Sequence, residues 1–207
     1  MSAPTTAKTS QEVPLFNLAN QLTASRFVMA VGLFVCIGFE IWWACVGLFG
    51  LAAFTDWLDG CIARMYDLST PLGRVLDPLA DKVIVCGALV FLVAVQNSGI
   101  EAWMVALVIS REFMITGLRQ FMEEQGLAFG AGLLGKIKMV LQCVVLLVVF
   151  VTLEYFEEMQ AQINWVLHVR TSLIYAMVLV AGVSGLQYFW QAAKAIQQRT
   201  TADANEG

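Results

Sequence analysis

The 207 residues are 59% hydrophobic and only 14% charged, whereas soluble domains average about 45–50% apolar and about 25% charged residues. This composition excludes an ordinary soluble domain and indicates a membrane protein. The formal net charge of −4 carries little information, because the charges are unevenly placed along the sequence. No basic cluster is interleaved with aromatic residues, so nothing indicates a nucleic-acid-binding protein.

The two ends of the chain are polar, and they predict tails rather than packed structure. Residues 1–14 contain a single basic residue, Lys8, and lack the basic start and apolar centre of a cleavable signal peptide. Residues 196–207 have a similar polar composition. We therefore expect one membrane domain over residues 15–195, between a disordered N-terminal tail and a flexible C-terminal tail.

The apolar runs between these tails predict an all-α protein with six transmembrane helices. A helix needs about 20 apolar residues to cross roughly 30 Å of hydrocarbon. The candidate spans are residues 22–39, 41–57, 79–95, 103–118, 133–153 and 172–190. Residues 16–23 mix apolar and polar side chains at helical spacing, which predicts a short amphipathic helix along the membrane interface before the first span.

Lysine and arginine are distributed unevenly over the predicted loops. Of the 12 Lys and Arg residues, only Arg170 falls on the side of the membrane opposite to the two termini. Cytoplasmic loops of membrane proteins carry the excess of basic residues. Both termini are therefore predicted to be cytoplasmic, together with the polar segments after the second and fourth spans.

Four aspartates are concentrated where the second span ends and the third begins. Asp56 and Asp59 are three residues apart, and Asp77 and Asp81 are four apart, so each pair lies on one face of a helix. Carboxylates gathered in this way repel one another and need a compensating cation. All-oxygen clusters suit hard cations such as Mg²⁺ or Mn²⁺, and two ions sharing these groups suit an in-line displacement at phosphorus.

Three small residues lie on the same predicted faces as the aspartates: Gly60, Ala63 and Gly73. Small residues allow close packing of helices in membranes. They also leave room for a nucleotide beside the metal ions. The two interpretations are compatible, and the sequence favours neither.

Basic residues mark the cytoplasmic ends of the fourth and fifth spans. Arg111 is flanked by apolar residues, and an arginine inside a span usually faces a partner or a cavity. Arg119 lies on nearly the same helical face, and two arginines can fork onto one phosphate group. We predict that Arg111, Arg119 and Lys136 bind the phosphate of an acceptor molecule. Glu112 is expected to point elsewhere, and Lys138 to contact anionic lipid headgroups.

The aspartate segment resembles the signature of the CDP-alcohol phosphotransferase family, which reads D-x-x-D-G-x-x-A-R, eight residues, and then G-x-x-x-D-x-x-x-D. Every fixed position is present: Asp56, Asp59, Gly60, Ala63, Arg64, Gly73, Asp77 and Asp81. The resemblance extends from about residue 16 to about residue 142. Within it, Ser110-Arg111-Glu112 and Gly135-Lys136-Ile137-Lys138 resemble the branch whose acceptor is sn-glycerol 3-phosphate. Met139 departs from that branch, which often has threonine there.

This resemblance implies a six-helix fold in a bacterial inner membrane, assembled as a homodimer, with a divalent-metal site open to the cytoplasm. It implies that the four aspartates hold the metal ions and that Asp81 is also the general base. The residues implied to contact the CDP moiety are Asp59, Gly60, Ala63, Arg64 and Gly73. The implied reaction is attack by the 1-hydroxyl of sn-glycerol 3-phosphate on the lipid-side phosphorus of CDP-diacylglycerol, with CMP as leaving group.

Two alternatives remain beside this hypothesis. Another acceptor, such as inositol phosphate, would use the same chemistry, and a basic pocket does not distinguish one phosphorylated alcohol from another. A divalent-cation transporter would need acidic or polar residues along a path through several spans. The acidic residues gather on one side instead, and the fifth and sixth spans are almost wholly apolar.

Overall fold

The structure is a computed structural model that describes residues 18–66, 71–124, 133–156 and 164–206. These residues form long α-helices and contain no β-strand. The helices are α1 (Leu18–Gly38), α2 (Trp42–Tyr66), α3 (Pro71–Val93), α4 (Ala102–Glu124), α5 (Leu133–Glu154) and α6 (Asn164–Glu206). Side chains are described for residues 24–55, 79–80, 82–122, 135, 137–156 and 165–194.

The all-α class is confirmed over the described ranges, and each predicted span falls largely on one of these helices. The helices are longer than the apolar runs on which the prediction was based. In particular, α2 continues to Tyr66 and α3 begins at Pro71. Proline favours the first turn of a helix, where its missing N–H is not needed. Both aspartate pairs therefore lie on helical backbone rather than in a loop.

The sequence predicts a separate interfacial helix over residues 16–23, and this prediction is wrong for the residues that the structure describes. Residues 18–23 belong to α1, which runs without interruption from Leu18 to Gly38. Neither glycine nor proline occurs between Leu18 and Val31, so nothing in the sequence ends the helix once it has started. Residues 16 and 17, like the predicted tail over residues 1–14, lie outside the described residues. The backbone of residues 196–206, predicted as the C-terminal tail, continues α6.

A tight connection joins α1 to α2. The N–H of Ile41 donates to the carbonyl of Cys36 at 3.0 Å, and the N–H of Glu40 donates to the carbonyl of Ile37 at 3.1 Å. Glu40 has a φ of 58°. This pair of hydrogen bonds around a left-handed residue is the Schellman arrangement that ends a helix. It reverses the chain without a longer loop, so α1 and α2 form a hairpin.

Helices α3 and α5 lie at the centre of the bundle, because they pack against each other and each contacts two further helices. α1 packs against α2 and α3, α5 packs against α2 and α6, and α4 packs against α3 and α6. Phe150 of α5 lies at the centre, with its ring centroid 6.2 Å from that of Phe49 and 6.5 Å from that of Trp42. The last helix therefore closes the bundle against α4 and α5.

The outward-facing surface of the bundle is apolar too. On α6, Leu179, Leu186 and Phe189 are 62–74% exposed, and soluble monomers rarely expose contiguous apolar surface on a large scale. By length and composition, two described helices can cross a membrane, over Ile137–Glu154 and Trp165–Lys194. Shorter apolar helical segments are Ala24–Gly38, Trp42–Thr55 and Lys82–Val93.

Arg170, the basic residue that the sequence assigns to the outer side, is part of the core. It is only 6% exposed, and its Nη1 donates to Thr152 Oγ1 of α5 at 3.3 Å. Its guanidinium carbon lies 5.9 Å from the centroid of the Phe156 ring. The loop between α3 and α4 covers it, because a Cβ added to Gly99 would lie 3.5 Å from Arg170 Nη2. Arg170 therefore ties α6 to α5 and to this loop.

Candidate active site

One aspartate pair lies in the C-terminal part of α2, and the other lies in the N-terminal half of α3. Asp56 and Asp59 belong to the last three turns of α2, and Asp77 and Asp81 belong to the first half of α3. Only residues 67–70 separate the two helices. The backbone is helical at all four positions, which is the condition on which the predicted faces depend.

Several predicted site residues lie outside the residues whose side chains the structure describes. They are Asp56, Asp59, Gly60, Ala63, Arg64, Gly73, Asp77, Asp81 and Lys136. Their assignments as metal ligands, CDP contacts, general base and acceptor contact therefore stay predictions. Among the side chains that are described, no group of three or more His, Cys, Asp and Glu residues is placed to hold a metal ion.

The donor set on α2 and α3 fits a divalent cation. Four carboxylates on two successive helices supply only oxygen ligands, which Mg²⁺ and Mn²⁺ prefer. The helical spacing of three residues in α2 and four in α3 allows each helix to present two of them together.

Arg111 lies in α4, in the interior of the bundle, and is only 6% exposed. Its Nη1 donates to Glu112 Oε1 at 2.9 Å, and its Nη2 donates to Ser184 Oγ of α6 at 2.8 Å. The guanidinium carbon lies 5.9 Å from the centroid of the Tyr188 ring. Its Nε is buried and has no hydrogen-bond partner within the described part of the chain. The prediction that Arg111 faces polar partners inside the protein is confirmed.

Glu112 lies beside Arg111, so the expectation that it points elsewhere is wrong. Its Oε1 accepts a hydrogen bond from Lys138 Nζ of α5 as well as the one from Arg111. Successive residues on a helix diverge by about 100°, but that rule fixes the Cβ directions only. The long side chains of Arg111 and Glu112 bend towards each other beyond Cβ.

The prediction that Lys138 contacts lipid headgroups is wrong, because its side chain points into the bundle. Its side chain is 12% exposed, and that of Glu112 is 8% exposed. Burying an ammonium group is costly unless it is paired, and Glu112 is the charged partner to which Lys138 turns. The carboxylate of Glu112 lies between two cations from different helices.

A second set of contacts joins this region to α3. Lys82 Nζ donates to Thr116 Oγ1 of α4, and Thr116 Oγ1 donates to the carbonyl of Glu112 at 2.7 Å. Lys82 follows Asp81 directly in the sequence. The helical turn that carries the last aspartate of the signature is therefore connected to the turn that carries Arg111.

Arg119 extends the same side of α4. Its Nε is buried and lacks a hydrogen-bond partner among the described residues, and its charge interacts with that of Arg111. We call the basic cluster the set Lys82, Arg111, Arg119 and Lys138 with Glu112. The cluster contains four basic side chains and one acidic side chain, a composition that favours an anionic ligand.

The contribution of the last helix to this region was missed at the sequence level. Ser184 is fully buried and Tyr188 is 5% exposed, and both contact Arg111. They are four residues apart and so share one helical face. The signal in the sequence was a serine and a tyrosine four residues apart within the largely apolar sixth span, and nothing in the sequence links them to α4.

The family model for CDP-alcohol phosphatidyltransferases matches residues 16–195. Several curated relatives carry the name CDP-diacylglycerol–glycerol-3-phosphate 3-phosphatidyltransferase. The one from Bacillus subtilis (strain 168) is 39% identical over 139 residues, which are 60% of this chain and 71% of the relative. The one from Escherichia coli (strain K12) is 35% identical over 136 residues, 63% of this chain and 75% of the relative. The one from Pseudomonas fluorescens is 40% identical over 117 residues, 53% of this chain and 58% of the relative.

The family match covers both aspartate pairs and the whole basic cluster. The family resemblance inferred from the aspartate signature is thereby confirmed. This chain belongs to the CDP-alcohol phosphatidyltransferase family.

Proposed function

We propose that this protein transfers the phosphatidyl group of CDP-diacylglycerol to sn-glycerol 3-phosphate, with release of CMP, in phospholipid biosynthesis. Three relatives that are 35–40% identical carry the name of this activity. The observation that carries the proposal is the connection between the two halves of the site. The signature helix α3 is joined through Lys82 and Thr116 to the α4 turn that bears buried Arg111.

The donor half of the site is assigned to α2 and α3. Asp56, Asp59, Asp77 and Asp81 would hold two Mg²⁺ or Mn²⁺ ions. When bound, such ions polarise phosphate oxygens and offset the charge that develops at phosphorus. The residues assigned to the CDP moiety are Asp59, Gly60, Ala63, Arg64 and Gly73.

The chemical step needs one proton acceptor. Asp81 takes the proton of the acceptor's 1-hydroxyl as that oxygen forms a bond to the lipid-side phosphorus. The bond between this phosphorus and the bridging oxygen of CMP breaks, and CMP leaves with the electron pair. The new lipid is phosphatidylglycerophosphate.

The acceptor half of the site is assigned to Arg111, Arg119 and Lys136. An arginine guanidinium binds a phosphate group through two parallel hydrogen bonds. This assignment is supported by the burial of Arg111 and by the Nε atoms of Arg111 and Arg119, which have no hydrogen-bond partner among the described residues. The excess positive charge of the basic cluster would be offset by a phosphate dianion, because buried charges are tolerated when they are paired.

The same proposal places the protein in a bacterial inner membrane with six spanning helices. The apolar outer face of α6 and the distribution of Lys and Arg support this arrangement. Trp43 and Trp103, near the ends of α2 and α4 opposite the signature, are 55% and 49% exposed, as aromatic residues at a membrane interface are. Both termini and the active site would face the cytoplasm, in a homodimer surrounded by membrane lipids.

A product assay tests the proposed activity. Purified protein in detergent is mixed with CDP-diacylglycerol, Mg²⁺ or Mn²⁺, and either sn-glycerol 3-phosphate or inositol 1-phosphate. We expect CMP and phosphatidylglycerophosphate with the first acceptor. Lipid product from inositol 1-phosphate alone would assign the same chemistry to a different acceptor.

A further inference from the structure

Three residues of α6 lie next to the side chain of Arg111. Ser184 Oγ accepts a hydrogen bond from Arg111 Nη2 at 2.8 Å, and the Tyr188 ring centroid is 5.9 Å from the guanidinium carbon. A Cβ added to Gly185 would lie 3.2 Å from Arg111 Cγ. The arginine side chain therefore lies directly against the backbone of α6 at Gly185.

The hydroxyl of Ser184 is oriented by α6 itself. Ser184 Oγ donates to the carbonyl of Ala181 at 3.0 Å, and the residue is fully buried. Since the hydroxyl proton is used in that bond, the lone pairs of the oxygen are available to Arg111. Ser184 holds Nη2 of Arg111 without neutralising the charge of the guanidinium, whereas Glu112 binds Nη1 and neutralises charge.

Tyr188 connects this arrangement to the start of α5. A Cβ added to Gly135 would lie 3.0 Å from Tyr188 Oη, and Gly135 directly precedes Lys136 in the sequence. One side of Tyr188 thus supports Arg111 while its hydroxyl reaches the α5 turn that leads to another predicted acceptor contact. The last helix therefore contacts both helices that carry residues assigned to the acceptor, α4 and α5.

We infer that Ser184, Gly185 and Tyr188 are positioning residues of the last helix, which hold the guanidinium of Arg111 in place for the phosphate of a phosphorylated small alcohol. This inference rests on the proposed function, because it assumes that Arg111 binds the acceptor. It assigns to α6 a role in acceptor affinity that its apolar sequence does not indicate. It also predicts that donor binding, assigned to α2 and α3, is independent of these residues.

The test compares glycine and serine variants on one helix. Ser184→Ala removes the acceptor of the Arg111 hydrogen bond, and Gly185→Ala pushes against the arginine side chain. Gly182→Ala is the matched control, because a Cβ at Gly182 has no neighbour within 4 Å. We expect the KM for sn-glycerol 3-phosphate to rise about three- to tenfold in Ser184→Ala, as loss of one hydrogen bond predicts. It should also rise in Gly185→Ala, because the added methyl group displaces the arginine side chain. The KM for CDP-diacylglycerol should stay unchanged, as should both values in Gly182→Ala.

A double-mutant cycle separates positioning from mere packing. If Ser184 acts through Arg111, Ser184→Ala should add nothing to the acceptor KM in an Arg111→Ala background. Equal effects of Ser184→Ala in both backgrounds would overturn the inference, and so would an unchanged acceptor KM in Ser184→Ala alone. If Gly185→Ala does not fold, the Ser184→Ala cycle decides the question.

The same measurements distinguish this inference from the proposed function. No transfer to sn-glycerol 3-phosphate by the unaltered protein contradicts the proposed function. An unchanged acceptor KM in Arg111→Ala contradicts the assignment of Arg111 to the acceptor, and with it this inference, but leaves the proposed activity standing. A large effect of Arg111→Ala together with no effect of Ser184→Ala contradicts only the role of α6.

Discussion

Glu112 of α4 and Lys138 of α5 form an ion pair inside the bundle, with side chains that are 8% and 12% exposed. Because Arg111 donates to the same carboxylate oxygen, the charge of Glu112 compensates cations from two helices. Removing one partner of a buried ion pair typically costs about 3–5 kcal/mol, since the other charge is left buried without compensation.

Glu112→Gln keeps the size of the side chain and removes its charge. We expect it to lower the thermal unfolding temperature in detergent and to reduce the free energy of unfolding by an amount on the order of 3 kcal/mol. Glu154→Gln, at an exposed glutamate of α5, is the control. Glu112→Gln combined with Lys138→Met should recover part of the loss, and a Glu112→Gln protein as stable as the control would contradict the role of the pair.

The aspartates could be identified from the sequence because their pattern is local, whereas the partners of Glu112 could not. The helix positions and the family follow from local patterns, namely apolar runs and the signature spacing. The partners of Arg111 do not, because Ser184 is 73 residues away in the chain and Lys138 is 26 residues from Glu112. Such contacts depend on how α4, α5 and α6 pack, and helical periodicity within one helix carries no information about that.

The sequence predicted for only some basic residues whether they face a protein partner or lipid. Arg111 could be identified because a charge inside an apolar run demands a partner. Lys138 follows the same rule, yet its position near a predicted helix end made lipid headgroups an equally good destination. The end of α1 was predictable from its Gly38-Phe39-Glu40 link, whereas its start at Leu18 was not, because polar residues at helical spacing fit one continuous helix as well as two.

The proposed metal site predicts an absolute requirement for a divalent cation. After treatment with excess EDTA, turnover should vanish, and Mg²⁺ or Mn²⁺ should restore it. Asp56→Ala, Asp59→Ala and Asp77→Ala should each abolish turnover while the protein elutes from size-exclusion chromatography as the unaltered protein does. Full activity in EDTA after removal of bound metal would exclude this site.

Arg111→Ala and Asp81→Asn should fail in different ways. A charge-assisted contact to phosphate contributes roughly 1.5–3 kcal/mol, so Arg111→Ala should lower kcat/KM for sn-glycerol 3-phosphate by about ten- to a hundredfold. Asp81→Asn should instead lower kcat while both substrates still bind, because an amide cannot take the hydroxyl proton. Steady-state kinetics combined with CDP-diacylglycerol binding measures both. If Arg111→Ala loses binding of CDP-diacylglycerol and keeps its acceptor KM, the arginine belongs to the donor half.

The proposed orientation can be tested by cysteine labelling in intact cells. Gln96 is exposed in the connection between α3 and α4, so a membrane-impermeant thiol reagent should label Gln96→Cys from the periplasmic side. The same reagent should not reach Asp67→Cys until the membrane is opened. The unaltered protein, with its five cysteines, gives the background. The reverse labelling pattern would place the active site away from the cytoplasm.

The last prediction concerns the contact between Gly99, in the connection between α3 and α4, and Arg170 of α6. Gly99 has a φ of +74°, and an added Cβ would lie 3.4 Å from Ile174 Cδ1 and 3.5 Å from Arg170 Nη2. Gly99→Ala therefore combines backbone strain, about 1–2 kcal/mol for an alanine in the left-handed region, with crowding of a buried guanidinium. We expect a lower unfolding temperature in detergent.

The matched control is Gly50→Ala in α2, where a Cβ has no neighbour within 4 Å and alanine favours the helix by about 0.5–1 kcal/mol over glycine. Gly99→Ala should destabilise the protein and Gly50→Ala should not. Because Gly99 lies in the connection that follows α3, whereas Asp77 and Asp81 lie in the first half of that helix, the KM for sn-glycerol 3-phosphate should be the same in both variants. If Gly99→Ala leaves the stability unaltered, the connection between α3 and α4 can move to accommodate the methyl group. The contacts with Thr152 and Phe156 are then sufficient to hold Arg170 in place.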